Sequence, residues 1–117
     1  MFSVNGYSNK QYAYALFQKL IEKKCLSDGD INLLIDAERC KLSFCCSNVP
    51  ILSEVSVEGP LQKKDCYDNY GRQRFYKEKV IINSRAFVIT NHWYGPGKSM
   101  PDNRTPFEHW ALAKINK

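Results

Sequence analysis

The stretch "RQRFYKEKVIINSRAFVITNHWY", residues 72–94, decides the fold class of this chain. Its two halves are rich in aromatic and β-branched residues that alternate with cations, and the polar pair Asn83-Ser84 separates them. Such halves are typical of strands, and Asn-Ser suits a tight turn, although Asn-Gly would be the stronger signal. The sequence therefore predicts a β-hairpin at about 72–94. Its cations are predicted to form a basic rim: Arg72, Arg74, Lys77, Lys79 and Arg85.

Three helices are predicted upstream of the hairpin, within about 8–47. In the first, apolar residues recur every three or four positions between a capping Ser8 and about Lys24. A short second helix is predicted after Ser27, because this residue forms an approximate capping box with Asp30.

The third helix is predicted from "DAERCKLSFCC", residues 36–46, with Asp36 as its cap. Its inward-facing residues are predicted to be Ala37, Cys40 and Phe44. Only a few residues separate it from the second helix, which is the spacing of a helix-turn-helix arrangement, although many all-α cores share that spacing. Arg39 and Lys41 lie on its polar face, and such a helix can enter a major groove of DNA.

The C-terminal part predicts one more helix, at about 105–116. Thr105-Pro106-Phe107-Glu108 places a threonine at the cap, a proline at the first helical position and a glutamate three residues after the threonine. Trp93 and Trp110 are predicted to pack on each other. Before the hairpin, "ILSEVSV" alternates as a short strand does, and residues 59–71 are predicted to be a loop with some mobility.

Composition favours one globular domain over residues 1–117, because 44% of the chain is hydrophobic and 25% is charged. The longest apolar runs, such as Val80-Ile81-Ile82, are too short to span a membrane. The first residues lack the basic and apolar regions of a signal peptide, and five cysteines at irregular spacing suit reduced thiols. We therefore expect a cytoplasmic protein without a membrane association.

The net charge of +5 is unevenly distributed. Residues 1–58 carry 6 Lys and Arg against 7 Asp and Glu, whereas residues 59–117 carry 11 against 5. A basic half joined to a nearly neutral half suits a protein with one face that meets an acidic partner. A solvated surface that keeps the protein in solution would show the same asymmetry, so charge alone leaves both interpretations open.

The motifs that could carry chemistry do not predict an enzyme. "YGPGKS", residues 94–99, lacks the first glycine of a Walker loop, and the next helix begins too late for its amides to meet a phosphate there. No carboxylate is spaced to orient His92 or His109 as a base, and the cysteines lack the pairs of a zinc site. Cys45 and Cys46 follow a helix end, where the dipole raises the pKa of a thiol. We expect no catalytic residue, no metal and no cofactor.

The order helix, helix, helix, strand and basic hairpin resembles that of a winged-helix domain, in which the third helix recognises DNA and the hairpin is the wing. The segments "LLIDAERCKLSFCCSNVPIL", "RFYKEKVIINSRAFVITNHWY" and "NRTPFEHWALAKI" are also similar to small uncharacterised modules of bacteria and phages. The resemblance carries no catalytic residue across. It implies an α+β, winged-helix-like fold with three N-terminal helices, a basic antiparallel β-hairpin and a C-terminal helix.

We therefore expect a non-enzymatic protein that binds nucleic acid, duplex DNA in particular, by neutralising phosphates and contacting a few base edges. The predicted contact residues are Arg39, Lys41, Arg72, Arg74, Lys77, Lys79 and Arg85. The alternative is a small phage or bacterial protein that binds and inhibits another protein, such as a defence nuclease, with exposed aromatic residues as anchors. A metal- or thiol-dependent enzyme would require His92, His109 and a cysteine to converge.

Overall fold

The computed structural model describes residues 9–46, 50–97 and 100–116. This part of the chain forms five helices and a three-stranded antiparallel sheet, which confirms the mixed α+β class. In chain order the elements are α1 (Asn9–Glu22), α2 (Asp28–Leu34), α3 (Ala37–Phe44), β1 (Leu52–Val55), α4 (Lys63–Cys66), β2 (Val80–Ile82), β3 (Arg85–Ile89) and α5 (Arg104–Ile115).

The hairpin forms where the sequence predicts it, around Asn83 and Ser84. Both residues adopt positive φ, 51° and 67°, as the two central residues of a type I′ turn do. The strands on either side pair in register, with Val80 opposite Phe87 and Ile82 opposite Arg85. β3 also pairs with β1 on its other edge, so β3 is the central strand.

The first half of the predicted hairpin is not a continuous strand, and this prediction is corrected. Phe75 bridges to Thr90, and the Tyr76 N–H donates to the Ile89 carbonyl, whereas Val80 lies opposite Phe87. The ladder therefore carries two extra residues on this side, and residues 77–79 bulge out of it. The cations at 72–79 lie in a loop and a bulge instead of forming the rim of a strand.

The core lies between the helices and one face of the sheet. On that face the sheet contributes Leu52, Val80, Ile82, Phe87 and Ile89, all buried. The neighbouring β3 residues Ala86 and Val88 point to the opposite face and are buried as well. A central strand that is buried on both faces explains why "AFVI" is continuously apolar.

An aromatic cluster around Phe107 joins α5 to the rest of the core. The Phe107 ring stacks on Phe17 of α1 with ring centres 5.7 Å apart, and it contacts Trp93 at 5.0 Å and Trp110 at 6.0 Å. The two tryptophans, predicted to pack on each other, each pack against Phe107. The edge of Phe44 from α3 completes the cluster.

The helix ends follow the sequence at two places and depart from it at α5. The capping box of Ser27 with Asp30 and the Asp36 cap of α3 are confirmed. α5, however, begins at Arg104 after Asn103, and the Asp102 carboxylate accepts the Thr105 N–H. The predicted Thr105 cap is therefore wrong, because Asp102 supplies the acceptor that the helix start requires.

Three smaller differences from the predictions concern the end of α1, Ala37 and the stretch at 59–71. α1 ends at Glu22, two residues before the predicted end at Lys24, which adopts a positive φ of 53°. Ala37, predicted to face inward, is exposed. The stretch at 59–71 contains α4 where a loop was predicted. The predicted cap of α1, Ser8, lies outside the described residues.

Candidate nucleic-acid interface

The third helix is attached to the core by one side only. Its buried residues are Cys40 and Phe44, whereas Arg39, Lys41 and Leu42 are exposed, Leu42 by 77%. At about 100° per residue, Arg39 and Lys41 point roughly 200° apart, so they lie on opposite flanks of α3 with Leu42 outermost between them. In the described part of the chain, neither cation forms an ion pair with a carboxylate.

Arg85 is held by a partner on the neighbouring strand. Its guanidinium donates from Nη2 and Nε to the two Glu54 carboxylate oxygens at 2.8 and 3.0 Å, and it lies over the Phe87 ring. The hydrogen bond and the opposite charge raise the pKa of Arg85, and the same contacts lower the pKa of Glu54. A bidentate pair of this kind neutralises the charge of Arg85 and weakens its attraction for an external anion.

Arg74 is held in the same way, inside the loop. Its Nε donates to the Asp68 carboxylate at 2.8 Å, and its Nη1 lies 3.5 Å from Nε2 of His92. Asp68 also accepts the backbone N–H groups of Tyr70 and Arg72, which, with the Arg74 contact, lower its pKa. Burial and the charge of Arg74 lower the pKa of His92. Arg74 therefore organises the loop.

Lys79 ties the bulge to the segment that follows β1. Its ammonium group donates to the carbonyl oxygens of Gly59 at 2.7 Å and Val57 at 3.3 Å. These bonds use part of the hydrogen-bonding capacity of the ammonium group and hold residues 57–59 against the bulge. Lys79 is thus the third of the predicted contact residues with an internal partner.

Four exposed cations remain between α4 and β2, together with two tyrosines, and we call this set the loop face. It consists of Lys63, Lys64, Arg72, Lys77, Tyr67 and Tyr70. Tyr70 is 89% exposed, and the Lys63 and Lys77 ammonium groups lie 5.8 and 5.0 Å from the Tyr67 ring centre. The contact with Tyr67 raises the pKa of Lys77. Among the described residues, no carboxylate pairs with these four cations.

The seven predicted contact residues do not form a single cluster. Arg85 begins β3, whereas the Arg74 carbonyl accepts the N–H of Asn91, just past the other end of that strand. Thr90 lies five positions after Arg85, about 17 Å along the strand at 3.3 Å per residue. We call the first place the turn end and the second the loop end of β3.

The C-terminal end of α3 lies near the loop end. Asn103 connects them, because its side-chain amide donates to the His92 carbonyl at 2.8 Å and contacts the Cys46 sulfur at 3.9 Å. His92 in turn contacts Arg74 of the loop. The structure therefore groups Arg72, Arg74 and Lys77 in the loop and bulge and leaves Arg85 apart. The segment after α3 is linked to this group through Asn103 and His92.

Two members of the loop face, Lys63 and Lys64, were missed by the sequence analysis because residues 59–71 were interpreted as a loop. The available signal was the spacing of Gln62 and Asp65, since the Asp65 carboxylate accepts the Gln62 N–H at 2.8 Å and starts α4. This is the geometry of a capping box. It is hard to recognise in the sequence because α4 has only four residues, too few to show an apolar periodicity.

Residues that could carry other chemistry do not converge. No group of three His, Cys, Asp or Glu side chains in the described part of the chain could hold a metal ion. His109 is exposed on α5, and all five cysteines are free thiols. The contact with Cys40 and burial raise the pKa of Cys46, and burial raises the pKa of Cys66, so both thiols are poor nucleophiles.

The segment after β3 connects a strand to a helix. The Tyr94 N–H donates to the Asn103 side chain at 2.8 Å, and the Tyr94 carbonyl accepts the N–H groups of Asn103 and Arg104. Trp93 is buried and donates its indole N–H to the Thr90 carbonyl. Lys98 and Ser99 of the glycine-rich motif lie outside the described residues.

Comparison of the chain with protein-family models, with curated proteins and with solved structures found no match. Within residues 9–46, 50–97 and 100–116, no helix is long and apolar enough to cross a bilayer.

Proposed function

We propose that this protein binds nucleic acid, duplex DNA in particular, without catalysing a reaction, through α3 and the loop face. The observation that supports this most is that Arg39, Lys41, Arg72 and Lys77 stay exposed and have no carboxylate partner among the described residues, although acidic side chains are present nearby. Unpaired cations in this number favour a polyanionic partner.

The proposal includes a winged-helix-like role for the two elements. α3 is the recognition helix, and its flanks supply Arg39 and Lys41 while Leu42 can contact a thymine methyl group. The wing is the loop face, because the hairpin turn itself is occupied: the Asn83 side chain donates to the Leu26 carbonyl at 3.1 Å. The five free thiols suit a reducing, cytoplasmic setting.

The binding mechanism is release of counterions as cations approach phosphates. With the six unpaired cations of α3 and the loop face engaged, the logarithm of the binding constant should fall with the logarithm of salt concentration at a slope of about −5.4. Fluorescence anisotropy with labelled duplex and single-stranded probes, from about 50 to about 200 mM salt, measures this slope. A binding constant that does not change with salt concentration would refute the proposal.

The variant Arg39→Gln with Lys41→Gln tests the role of α3. We expect the salt slope to become shallower by about 1.8 and the affinity to fall for every probe. The matched control is Lys23→Gln with Lys24→Gln, which removes the same charge just after the end of α1, outside α3 and the loop face. Equal losses in both variants would show that only the net charge matters.

A second function, binding to a protein, is favoured by the 77% exposure of Leu42 and the 89% exposure of Tyr70. Exposed apolar and aromatic side chains of this kind serve as anchors in interfaces. A partner such as a defence nuclease would remain bound in a pull-down from nuclease-treated lysate, whereas a nucleic-acid partner would be lost. Leu42→Ser should then reduce capture of the protein partner in the same pull-down.

A further inference from the structure

A recess of about 570 Å³ opens in the loop face between α4 and the bulge. Leu61, Gln62 and Lys63 line one side, and Lys77 lines the other, with Cys66 and Tyr67 between them. Backbone hydrogen bonds fix both sides: the Arg74 N–H donates to the Cys66 carbonyl at 2.7 Å, and the Tyr67 N–H donates to the Lys63 carbonyl at 3.0 Å. The recess is therefore a built part of the fold.

The charges at the recess are uncompensated. Lys63 and Lys77 both contact the Tyr67 ring, so two ammonium groups converge on one aromatic side chain. The three carboxylates of α4, the loop and the bulge have other partners: Asp65 accepts the Gln62 N–H, Asp68 accepts from Arg74 and backbone amides, and Glu78 accepts the Tyr14 hydroxyl. An anion that bound between the lysines would relieve their mutual repulsion and complete the charge balance.

The size and lining of the recess indicate more than a bare anion. Its volume lies within the range of about 300–1,000 Å³ that is typical of small-molecule pockets and exceeds what one phosphate group requires. The half-buried Leu61 offers apolar surface, whereas the Gln62 amide offers one donor group and one acceptor group. This combination suits a phosphate joined to a heterocycle.

We propose that the recess binds a single nucleoside monophosphate unit, with its phosphate at Lys63 and Lys77 and its base against Leu61 and Gln62. The choice of a nucleotide as ligand rests on the proposed function. The unit can come from a free nucleotide or from the phosphorylated, unpaired end of a nucleic acid, and these two sources share the same chemistry.

The test uses the full chain and compares Lys63→Gln with its neighbour Lys64→Gln, which removes the same charge from α4 outside the recess. Calorimetric titration with nucleoside 5′-monophosphates should show binding that weakens about tenfold in the first variant and less than about twofold in the second. Amide NMR signals of residues 61–67 should shift on titration. A 5′-phosphate on a short single strand should tighten its binding in the wild type and not in Lys63→Gln.

Three results would overturn the inference: no binding of mononucleotides to the wild type, equal losses in the two variants, or inorganic phosphate that binds as tightly as the nucleotide. Arg39→Gln with Lys41→Gln separates this inference from the proposed function, because it should weaken duplex binding and leave mononucleotide binding intact. Loss of duplex binding in every assay with retained mononucleotide binding would refute the proposed function alone.

Discussion

The turn end and the loop end of β3 contain similar residue types and use them differently. At the turn end, Arg85 pairs with Glu54, Lys114 pairs with Asp30, and Asn83 bonds to the start of α2. At the loop end, Asp68 is shared among Arg74 and backbone amides, and the remaining cations stay exposed. The number of cations does not distinguish the two ends. The difference is that Arg85 and Lys114 have carboxylate partners, whereas Arg72 and Lys77 have none among the described residues.

The largest effect on stability is expected from Asn83→Val. Valine at a φ of 51° is strained, and the hydrogen bond to the Leu26 carbonyl is lost, so the free energy of unfolding should fall by about 3 kcal/mol. Denaturant titration measures it. Asn83→Gly is the control, because glycine accepts the backbone angle and should lose only about 1 kcal/mol. Similar losses in both would mean that the turn geometry contributes little.

The variant Arg72→Gln with Lys77→Gln tests whether the cations of the loop end serve binding and not stability. We expect duplex affinity to fall about tenfold at low salt with an unchanged Tm, because these side chains contact solvent and not the core. Anisotropy and thermal denaturation measure the two quantities separately. A lower Tm with unchanged affinity would reverse the roles that we assign to the two ends.

A smaller effect that depends on pH is expected from Lys114→Met at the turn end. Burial raises the pKa of the Asp30 carboxyl, but the ion pair with Lys114 and the hydrogen bonds with Ser27 outweigh it, so the pKa of Asp30 is lowered. A lowered carboxyl pKa stabilises the fold above about pH 4, and this contribution is lost as the pH falls through the folded-state value. The variant should lose about 1–2 kcal/mol at neutral pH.

Denaturation at several pH values tests this expectation. The difference between wild type and Lys114→Met should shrink steadily in acid, and duplex affinity should stay the same in both proteins. A difference that persists at low pH would show that the contact of Lys114 with the Trp110 ring, at 5.0 Å, and not the ion pair, is responsible.

The smallest effect is expected from Ser84→Gly. Serine holds a φ of 67°, so glycine should relieve strain, partly offset by the greater freedom of the unfolded chain, for a net gain of about 0.5 kcal/mol. Thermal denaturation would detect the higher Tm. A loss of stability would show that the serine side chain has a favourable role in the turn.

Much of the fold could be predicted from the sequence where the signal is local. Ser27 with Asp30, Asp36 at α3 and Asn83-Ser84 act on backbone groups only a few residues away, and each does what its pattern predicts. α5 begins at Arg104, before the predicted cap at Thr105, because the Asp102 carboxylate accepts the Thr105 N–H at the helix start. Local patterns do not decide between near-equivalent partners.

The candidate site was less predictable for the same reason. Arg74, Lys79 and Arg85 look alike in the sequence, but their partners are Asp68, two carbonyl groups and Glu54. The Glu54–Arg85 contact joins residues 31 apart, and no local periodicity encodes it. The register shift that moves residues 77–79 out of the ladder depends on pairing with β3, so no local pattern in the sequence predicts it either.

The sequence by itself determined the class of each main element, the hairpin turn, the caps of α2 and α3 and the excess of positive charge in the second half. The tertiary structure alone decided which cations are neutralised and which remain free, that Phe107 lies between the two tryptophans, and that α4 and the bulge enclose a recess. The physical reason is the distance along the chain over which each kind of interaction acts. Backbone angles and caps depend on neighbours along the chain, whereas pairing of charges and enclosure of space depend on side chains that only folding brings together.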